Sequence, residues 1–399
     1  MKVILVLSLI LNFPIVYGQN FNAVVIGNMD SIYSKTLKEN RNIWIYVPNT
    51  LKNSLYGKQN YPVVYLLDGD AHFYSLVGMI QELSENGNTI CPQMIVVGIL
   101  NTNRTRDLTP SHDGAEASSG GGENFSSFLE KELIPYIDSH YPTAPYKILM
   151  GHSYGGLTVV NELAHHSSLF NTYVAIDPTL KWDNQKLLKE CDTVLNQEKL
   201  GGKKLVLSMA NSISHDIDTL TVRKDTAQRT LNARSILMFR NLLRKSAKNN
   251  GLKWDFKYYD NDDHHSVPLI AEYDALRYIF DFYKFPIDKI LDKKNNCDSV
   301  VTSHFANVSK QMGYTIPPSE ELVNLLGYDF LNQKKFDIAE LFFKKNIINY
   351  SQSSNVFYSM GFFYETKGDK LKAVENYTKS LSIKEVPGLR KKMENLKAH

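Results

Sequence analysis

The sequence has few cysteines, no excess of charge of one sign and no long hydrophobic run. Its three cysteines, Cys91, Cys191 and Cys297, are far apart in 399 residues. They predict neither a disulfide framework nor a cysteine-ligated metal cluster, and at most one pair could form a disulfide. With 45 basic and 42 acidic residues, the formal net charge is only +3, which disfavours a nucleic-acid partner. No apolar stretch reaches the roughly 20 residues that span a bilayer.

The N-terminus has the layout of a secretory signal peptide. Lys2 precedes an apolar run over residues 3–11, and Val16-Tyr17-Gly18-Gln19 follows it. This layout predicts a signal peptide over residues 1–18 with cleavage near Gly18, and hence a secreted or periplasmic protein. The processing region has no cysteine, which disfavours a lipid-modified N-terminus.

A Gly-x-Ser-x-Gly motif stands between an apolar run and a helical pattern. The run over residues 146–150 leads into Gly151-His152-Ser153-Tyr154-Gly155, and apolar residues recur at helical spacing over 157–164. A serine at a sharp strand-to-helix turn needs small neighbours, because its backbone is strained and the helix passes close to the strand. This context predicts that Ser153 is a nucleophile with an exposed hydroxyl.

Apolar runs typical of buried strands alternate with helical patterns over residues 19–286. The runs that predict strands are residues 42–48, 61–67, 94–100, 146–150, 172–176, 204–209 and 254–259. Helical spacing is clearest over residues 73–83, 125–137, 226–248 and 269–283. Such alternation predicts an α/β fold, in which helices cover both faces of a mostly parallel central sheet.

The character of the sequence changes after Phe285-Pro286. Residues 287–318 resemble a connector, and residues 319–399 are helical and repetitive, with Gly327 recurring as Gly361 and Phe343 as Tyr377. The period of 34 residues and the residue types resemble the tetratricopeptide repeat, which predicts a small all-α helical-repeat domain. Because two repeats are few for a free-standing array, we expect them to pack on the catalytic domain or to end in a capping helix near residues 386–396.

A serine nucleophile needs a base, usually a histidine that an acid orients. In this order of elements the base follows the last strand, and His264 and His265 stand directly after the run 254–259. One of them is therefore expected to be the base. The acid is expected after the strand 204–209, where the candidates are Asp216, Asp218 and Asp225. Asp225 precedes a helix, so its alternative role is an N-cap.

Four stretches together resemble the "Putative esterase" family of α/β hydrolases, which includes bacterial siderophore esterases and relatives of esterase D. They are Tyr65-Leu66-Leu67-Asp68-Gly69-Asp70-Ala71-His72-Phe73, Arg104-Thr105-Arg106-Asp107-Leu108-Thr109-Pro110, Gly151-His152-Ser153-Tyr154-Gly155-Gly156 and Asp263-His264-His265-Ser266-Val267-Pro268. The resemblance covers residues 30–285 and implies an α/β-hydrolase fold. Relatives follow the base with Gly-Ser, which favours His264. They place the acid near the start of the next helix, which favours Asp225, although some are described as working with a Ser-His dyad.

The remaining site residues are predicted from their positions and chemistry. Tyr154 is expected to supply one oxyanion-hole N–H, and Gly69 or Asp70 the other. Arg104 and Arg106 either anchor an anionic or catechol-bearing substrate or support their loop by pairing with Asp107, and the second role is favoured because arginine and aspartate neighbours on a loop often pair.

We therefore predict a serine hydrolase of carboxylic esters that needs no metal or organic cofactor. Siderophore-type lactones and acyl or feruloyl esters of carbohydrates are the expected substrate classes, and a protein partner could bind the repeat segment. The alternative is a catalytically weak hydrolase-fold platform that serves as a protein-interaction module.

Overall fold

A single eight-stranded sheet forms the centre of the structure, a computed structural model that describes residues 24–48, 59–85, 89–212, 222–291 and 296–398. The strands are β1 (Asn28–Ser34), β2 (Glu39–Tyr46), β3 (Tyr61–Leu66), β4 (Ile95–Ile99), β5 (Thr143–His152), β6 (Thr172–Ile176), β7 (Lys204–Ala210) and β8 (Lys253–Tyr259). The predicted signal peptide, and with it Gly18, lies outside the described residues.

The strand order β1-β2-β4-β3-β5-β6-β7-β8 makes most of the sheet parallel. Only the pairs β1–β2 and β2–β4 are antiparallel. Every residue of β3 and β7 is buried, as expected for strands covered on both faces, whereas the edge strands β1 and β8 keep exposed positions. The carboxyl ends of β3, β5, β6, β7 and β8 therefore meet at one edge of the sheet.

Helices cover both faces of the sheet. They are α1 (Gly69–Ser84), α2 (Arg104–Leu108), α3 (Gly122–Phe128), α4 (Ile134–His140), α5 (Tyr154–His165), α6 (Trp182–Gln197), α7 (Leu231–Asn250) and α8 (Val267–Ile279). Apolar residues of α5, α6 and α7 share one core with the sheet, for example Leu157, Leu188 and Ile236. Phe73 of α1 and Leu276 of α8 belong to the core on the other face. This architecture confirms the predicted α/β-hydrolase fold.

An all-helical region follows the sheet domain. Its helices are α9 (Ile287–Leu291), α10 (Cys297–Met312), α11 (Glu320–Asn332), α12 (Phe336–Asn349), α13 (Ser354–Lys367), α14 (Lys370–Ile383) and α15 (Leu389–Ala398). Helix α10, inside the segment predicted as a connector, contributes Val308 and Met312 to the sheet-domain core and Val301 and Phe305 to the helical core. It therefore packs the two parts against each other.

The two helical hairpins α11–α12 and α13–α14 repeat one contact at the predicted spacing. A Cβ at Gly327 would lie 2.7 Å from the Phe343 ring, and a Cβ at Gly361 would lie 2.5 Å from the Tyr377 ring. In each hairpin, a glycine on the first helix thus makes room for an aromatic ring on the second. Leu389 and Met393 of α15 complete the same core.

Gly361→Ala is expected to destabilise the helical region by about 1–3 kcal/mol, because the new methyl would overlap a ring that is fully buried. Gly78→Ala is the matched control, since it is also in a helix but has nothing within 4 Å of the new methyl. Because alanine has a better helix propensity than glycine, Gly78→Ala should raise the free energy of unfolding by about 0.5–1 kcal/mol. Urea unfolding followed by circular dichroism measures both changes, and equal effects of the two variants would contradict this packing.

The described residues contain no helix that is both long and apolar enough to cross a membrane. All three cysteines are free thiols, with Cys91 and Cys191 buried.

Candidate active site

Ser153 occupies a strained turn between β5 and α5. Its backbone has φ 58° and ψ −114°, a conformation that costs a non-glycine residue on the order of 1–3 kcal/mol. Neighbouring chain holds it there, because its N–H donates to the Ile176 carbonyl at 3.0 Å and its carbonyl accepts from the Thr179 N–H at 3.0 Å. A Cβ at Gly151 would lie 2.6 Å from the backbone of Gly155, so the close approach of strand and helix demands glycine, as the sequence predicts.

Ser153 begins a chain of hydrogen bonds that runs through His264 to Asp177. The Ser153 Oγ lies 3.1 Å from His264 Nε2, and His264 Nδ1 lies 2.6 Å from Asp177 Oδ2. A carboxylate only accepts hydrogen bonds, so Nδ1 carries the proton and Nε2 is free to accept from the serine hydroxyl. This is the arrangement in which an imidazole removes a proton from an attacking serine.

Asp177 is held rigidly at the carboxyl end of β6. It is 2% exposed, its Oδ1 accepts from the Ala210 N–H at 3.0 Å, and its own N–H donates to the Ser208 carbonyl at 2.9 Å. These bonds tie Asp177 to the end of β7, and its second carboxylate oxygen, Oδ2, accepts the hydrogen bond from His264. Asp177 also has a positive φ, of 40°, as do Ser153 and Asp68, so three residues near strand ends at this edge share a strained backbone.

The prediction of Asp225 as the acid is wrong in this structure. Its carboxylate instead accepts from the Ala227 N–H at 3.0 Å and from the Thr230 hydroxyl at 2.8 Å, and these two bonds lower its pKa. Asp225 thus caps the turn that leads into α7, the alternative role foreseen for it. The other two candidates, Asp216 and Asp218, lie outside the described residues.

The sequence does contain a feature that points to Asp177. The buried run of β6 ends in Ala175-Ile176-Asp177-Pro178, just as the run of β3 ends in Leu67-Asp68. An acid at the end of the strand next to the nucleophile strand lies at the correct edge of the sheet. The expectation failed because it placed the acid after β7, one strand further from Ser153.

His265 does not compete with His264 for the serine. His265 is exposed, and its backbone N–H donates to Asp263 Oδ1 at 2.8 Å. Its ring packs edge-on against the His264 ring, with centroids 5.5 Å apart. The structure therefore brings His264, the favoured candidate, to Ser153.

The residues expected to form the oxyanion hole lie at the starts of two neighbouring helices. Tyr154 is the first residue of α5, and Gly69 and Asp70 are the first two of α1. N–H groups in a first helical turn lack acceptors within their helix. The two helix starts adjoin, because a Cβ at Gly155 would lie 3.2 Å from the Asp68 carboxylate.

Arg104 is beside the site, but its partner is not Asp107 as expected. Its guanidinium makes two hydrogen bonds to the Asp68 carboxylate, at 2.6 and 2.8 Å, and lies 5.2 Å from the centre of the Tyr154 ring. The bonds to Asp68 raise the pKa of Arg104, so it remains a fixed cation. Residues Asp68 and Arg104 each follow a strand and meet only because β3 and β4 are adjacent.

Arg106 has the supporting role. It pairs with Asp107 at 2.7 Å and with Glu39 at 2.6 Å, and the buried Arg41 also binds Asp107. The network ties α2 to β2, which argues against Arg106 as a substrate anchor.

The start of α6 meets the loop between α2 and α3 beside Tyr154. The Trp182 ring stands edge-on to Tyr154 with centroids 5.2 Å apart, and its indole N–H donates to the Ser111 carbonyl at 2.9 Å. The Trp182 ring and the Arg104 cation therefore both lie beside the ring of Tyr154, the residue that follows Ser153. In the part of the chain that the structure describes, no three His, Cys, Asp or Glu side chains converge as metal ligands would.

A row of side chains extends from His264 through two half-buried histidines to a buried glutamate in the interface of α1 and α8. The His152 ring lies 4.5 Å from that of His264, and the His72 ring lies 5.9 Å from that of His152. Glu272 of α8 ends the row, with its Oε1 3.6 Å from His72 Nδ1. Burial lowers the pKa of His152 to about 3, lowers that of His72 and raises that of Glu272 to about 8. These groups are therefore uncharged at neutral pH.

Glu272 is expected to make the protein less stable as the pH rises. Its pKa is about 8 when folded against 4.5 normally, so between these values only the folded chain keeps the proton, and the free energy of unfolding falls as the pH increases. Each pKa unit corresponds to about 1.4 kcal/mol. Glu272→Gln removes this contribution, so between pH 5 and pH 8 the wild type should lose at least about 1 kcal/mol more than the variant.

Urea unfolding at the two pH values measures this difference. Glu162, whose pKa burial raises to about 7, titrates in both proteins and cancels in the comparison. Equal losses in wild type and variant would contradict the protonated state of Glu272.

Comparison with known proteins agrees with this geometry. The model of the family described as "Putative esterase" matches residues 34–259. The ferri-bacillibactin esterase BesA of Bacillus subtilis is 28% identical over 215 residues, which cover 48% of this chain and 73% of that protein. A siderophore triacetylfusarinine C esterase of Aspergillus fumigatus is 25% identical over 250 residues, covering 57% of this chain and 85% of that protein.

A solved structure shows the same architecture. The IroE-like serine hydrolase from Shewanella oneidensis is 29% identical and superposes with a TM-score of 0.68, over 80% of this chain and 98% of that one. The family model covers more than half of the chain, and the chain therefore belongs to the "Putative esterase" family and is a serine-type esterase.

Proposed function

We propose that this esterase hydrolyses the ester bonds of a siderophore through an acyl-enzyme on Ser153. The observation that carries the proposal is the hydrogen-bond chain from Ser153 through His264 to Asp177, with distances of 3.1 and 2.6 Å. A serine is a poor nucleophile until a base accepts its proton, and this chain supplies the base and the group that orients it.

In the first half of the reaction, Ser153 Oγ attacks the ester carbonyl while His264 Nε2 takes its proton. The N–H of Tyr154 and that of Gly69 or Asp70 stabilise the oxyanion. His264 then donates the proton to the leaving alcohol, and the acyl group stays on Ser153. In the second half, His264 deprotonates a water molecule that attacks the acyl carbon, and the bond from the acyl carbon to Ser153 Oγ breaks. His264 returns the proton to Ser153 Oγ as the acid leaves, and Asp177 stabilises the imidazolium in both halves.

The groups beside Tyr154, next to the nucleophile, support a substrate with an aromatic part. Arg104 is a fixed cation 5.2 Å from the Tyr154 ring, and Trp182 adds a second aromatic surface 5.2 Å from it. The Aspergillus fumigatus relative is named as a siderophore esterase, and the Bacillus subtilis relative is named as a ferri-bacillibactin esterase. A catecholate or hydroxamate iron chelator with ester linkages is therefore the proposed substrate class.

A panel of esters tests this assignment. Purified wild type and Ser153→Ala would be incubated with a catecholate trilactone, a hydroxamate ester siderophore, a feruloylated sugar and an acetylated sugar, with products followed by liquid chromatography. Ser153-dependent cleavage of a siderophore at a kcat/KM at least tenfold above that of the sugar esters is expected. A preference for the feruloylated or acetylated sugar would overturn the siderophore assignment and leave the esterase intact.

Export of the protein, predicted from residues 1–18, is part of the proposal. Expression of the full chain followed by N-terminal sequencing of the exported protein should give a start near Gln19. Retention of an uncleaved chain in the cytoplasm would contradict it.

The helical region after residue 319 is proposed to act within the chain or as a binding site for a protein partner. The packing of α10 on both cores favours the first role. Affinity capture with the full chain and with a version truncated after residue 318 distinguishes between these two roles. A truncated chain that keeps its solubility and activity but loses a captured protein would favour the partner.

A further inference from the structure

Two histidine rings other than the base contact His264, and they differ in burial. The His152 ring lies 4.5 Å from the His264 ring at a tilt of 43°, and His152 Nε2 is buried. The His265 ring lies 5.5 Å away at 76° and is exposed. The Nε2 atom of His152 is thus enclosed by the fold, whereas the His265 side chain is exposed.

The surroundings of the His152 ring indicate neither a role as a base nor a hydrogen bond through its Nε2. That atom has no hydrogen-bond partner among the described residues, and burial and the neighbouring imidazoles hold its pKa near 3. The groups that face it are His264 of the loop after β8, His72 and Asp68 near the start of α1, and Arg104 of α2. The contact that the structure gives between His152 and the base is the packing of the His152 ring on the His264 ring.

His152 is itself fixed from two directions. Its backbone belongs to β5 and pairs with Ile176 of β6. Its ring meets the edge of His72 at 5.9 Å, and His72 is in turn backed by the buried Glu272. His264, by contrast, stands on a loop and is held to the sheet by its bonds to Ser153 and Asp177.

We infer that His152 is a positioning residue, whose half-buried ring packs against His264 and keeps that imidazole aligned between Ser153 and Asp177. The inference rests on the proposed roles of Ser153 and His264. A planar, uncharged side chain of similar size is then what the position requires, and the ring nitrogens are dispensable.

Three variants separate ring packing from other roles. His152→Ala removes the ring, His152→Phe keeps a ring without nitrogens, and His265→Ala removes the exposed ring as the matched control. Because a small misplacement of a catalytic group costs up to about 100-fold in rate, we expect His152→Ala to lower kcat for p-nitrophenyl acetate by about 10–100-fold with KM within about twofold. His152→Phe should stay within about threefold of wild type, as should His265→Ala.

The rate of fluorophosphonate labelling of Ser153 gives a second readout, because it reports activation of the serine without the later steps. Labelling should slow with kcat in His152→Ala and recover in His152→Phe. If His152→Ala does not fold, His152→Gln replaces it, and Gln is expected to lose at least about tenfold where Phe does not.

The inference is overturned if His152→Ala is as active as His265→Ala, or if Phe fails to restore kcat where Gln succeeds. Failure of the proposed function looks different, because wild type itself would then neither hydrolyse the ester nor carry the label on Ser153.

Discussion

Ser153→Ala is expected to lower kcat/KM for p-nitrophenyl acetate by about 10⁴-fold or more. The change removes the only atom that can form the acyl-enzyme in the proposed reaction, while it leaves His264 and Asp177 bonded to each other at 2.6 Å. Alanine tolerates the strained backbone of this turn no worse than serine, so the fold should persist. Steady-state kinetics with the purified variant measures the loss.

Ser139→Ala is the matched control, because Ser139 is an exposed serine of α4. Its activity should remain within about twofold of wild type, as is usual for surface substitutions. A Ser153→Ala variant that keeps its circular dichroism spectrum and more than about a tenth of its activity would remove Ser153 from the mechanism.

Asp177→Asn is expected to lower kcat by about 10³–10⁴-fold, and Asp225→Asn by no more than about threefold. Asparagine keeps an oxygen for the Ala210 N–H, which now binds Asp177 Oδ1 at 3.0 Å. The amide NH2 group would then face His264 Nδ1, where it cannot accept a hydrogen bond. The neutral amide also cannot stabilise an imidazolium by charge. The ring would be left without the partner that fixes its tautomer.

The pair of variants also decides between a triad and a dyad. Equal and small losses in both would indicate that Ser153 and His264 work without an acid. A large loss in Asp225→Asn alone would contradict the structure, in which the Asp225 carboxylate binds Ala227 and Thr230.

The nucleophile and the base could be predicted because each is marked by its local sequence. Ser153 stands between glycines at a strand-to-helix turn, and His264 follows the last strand of the sheet. Local patterns of this kind depend on a few neighbouring residues. The position of the acid depends instead on the order of strands in the sheet, which no local pattern gives. Asp177 reaches His264 from β6, the strand beside β5.

The walls of the site depend on contacts between distant segments. Arg104 pairs with Asp68 from a different strand end, and Trp182 at the start of α6 donates to the Ser111 carbonyl in the loop between α2 and α3. The His72 and Glu272 contact likewise joins α1 to α8. No spacing in the chain marks these pairs, which explains why Arg104 was expected to bind its neighbour Asp107 instead.

The repeat in the helical region could be predicted from the sequence because the same residue types recur at a fixed period. Glycine and aromatic residues recur together 34 positions apart, and the structure places each glycine under its aromatic ring. The packing of α10 between the sheet domain and the helical region could not be predicted in this way, because the apolar residues of α10 divide between two cores.

The most direct test of Ser153 as the activated nucleophile is to map a fluorophosphonate adduct by peptide mass spectrometry in wild type, His264→Ala and Asp177→Asn. We expect a single adduct on Ser153, loss of esterase activity in proportion to labelling, and labelling slowed at least about 100-fold in both variants. An adduct on another residue, or full activity in protein labelled at Ser153, would contradict it.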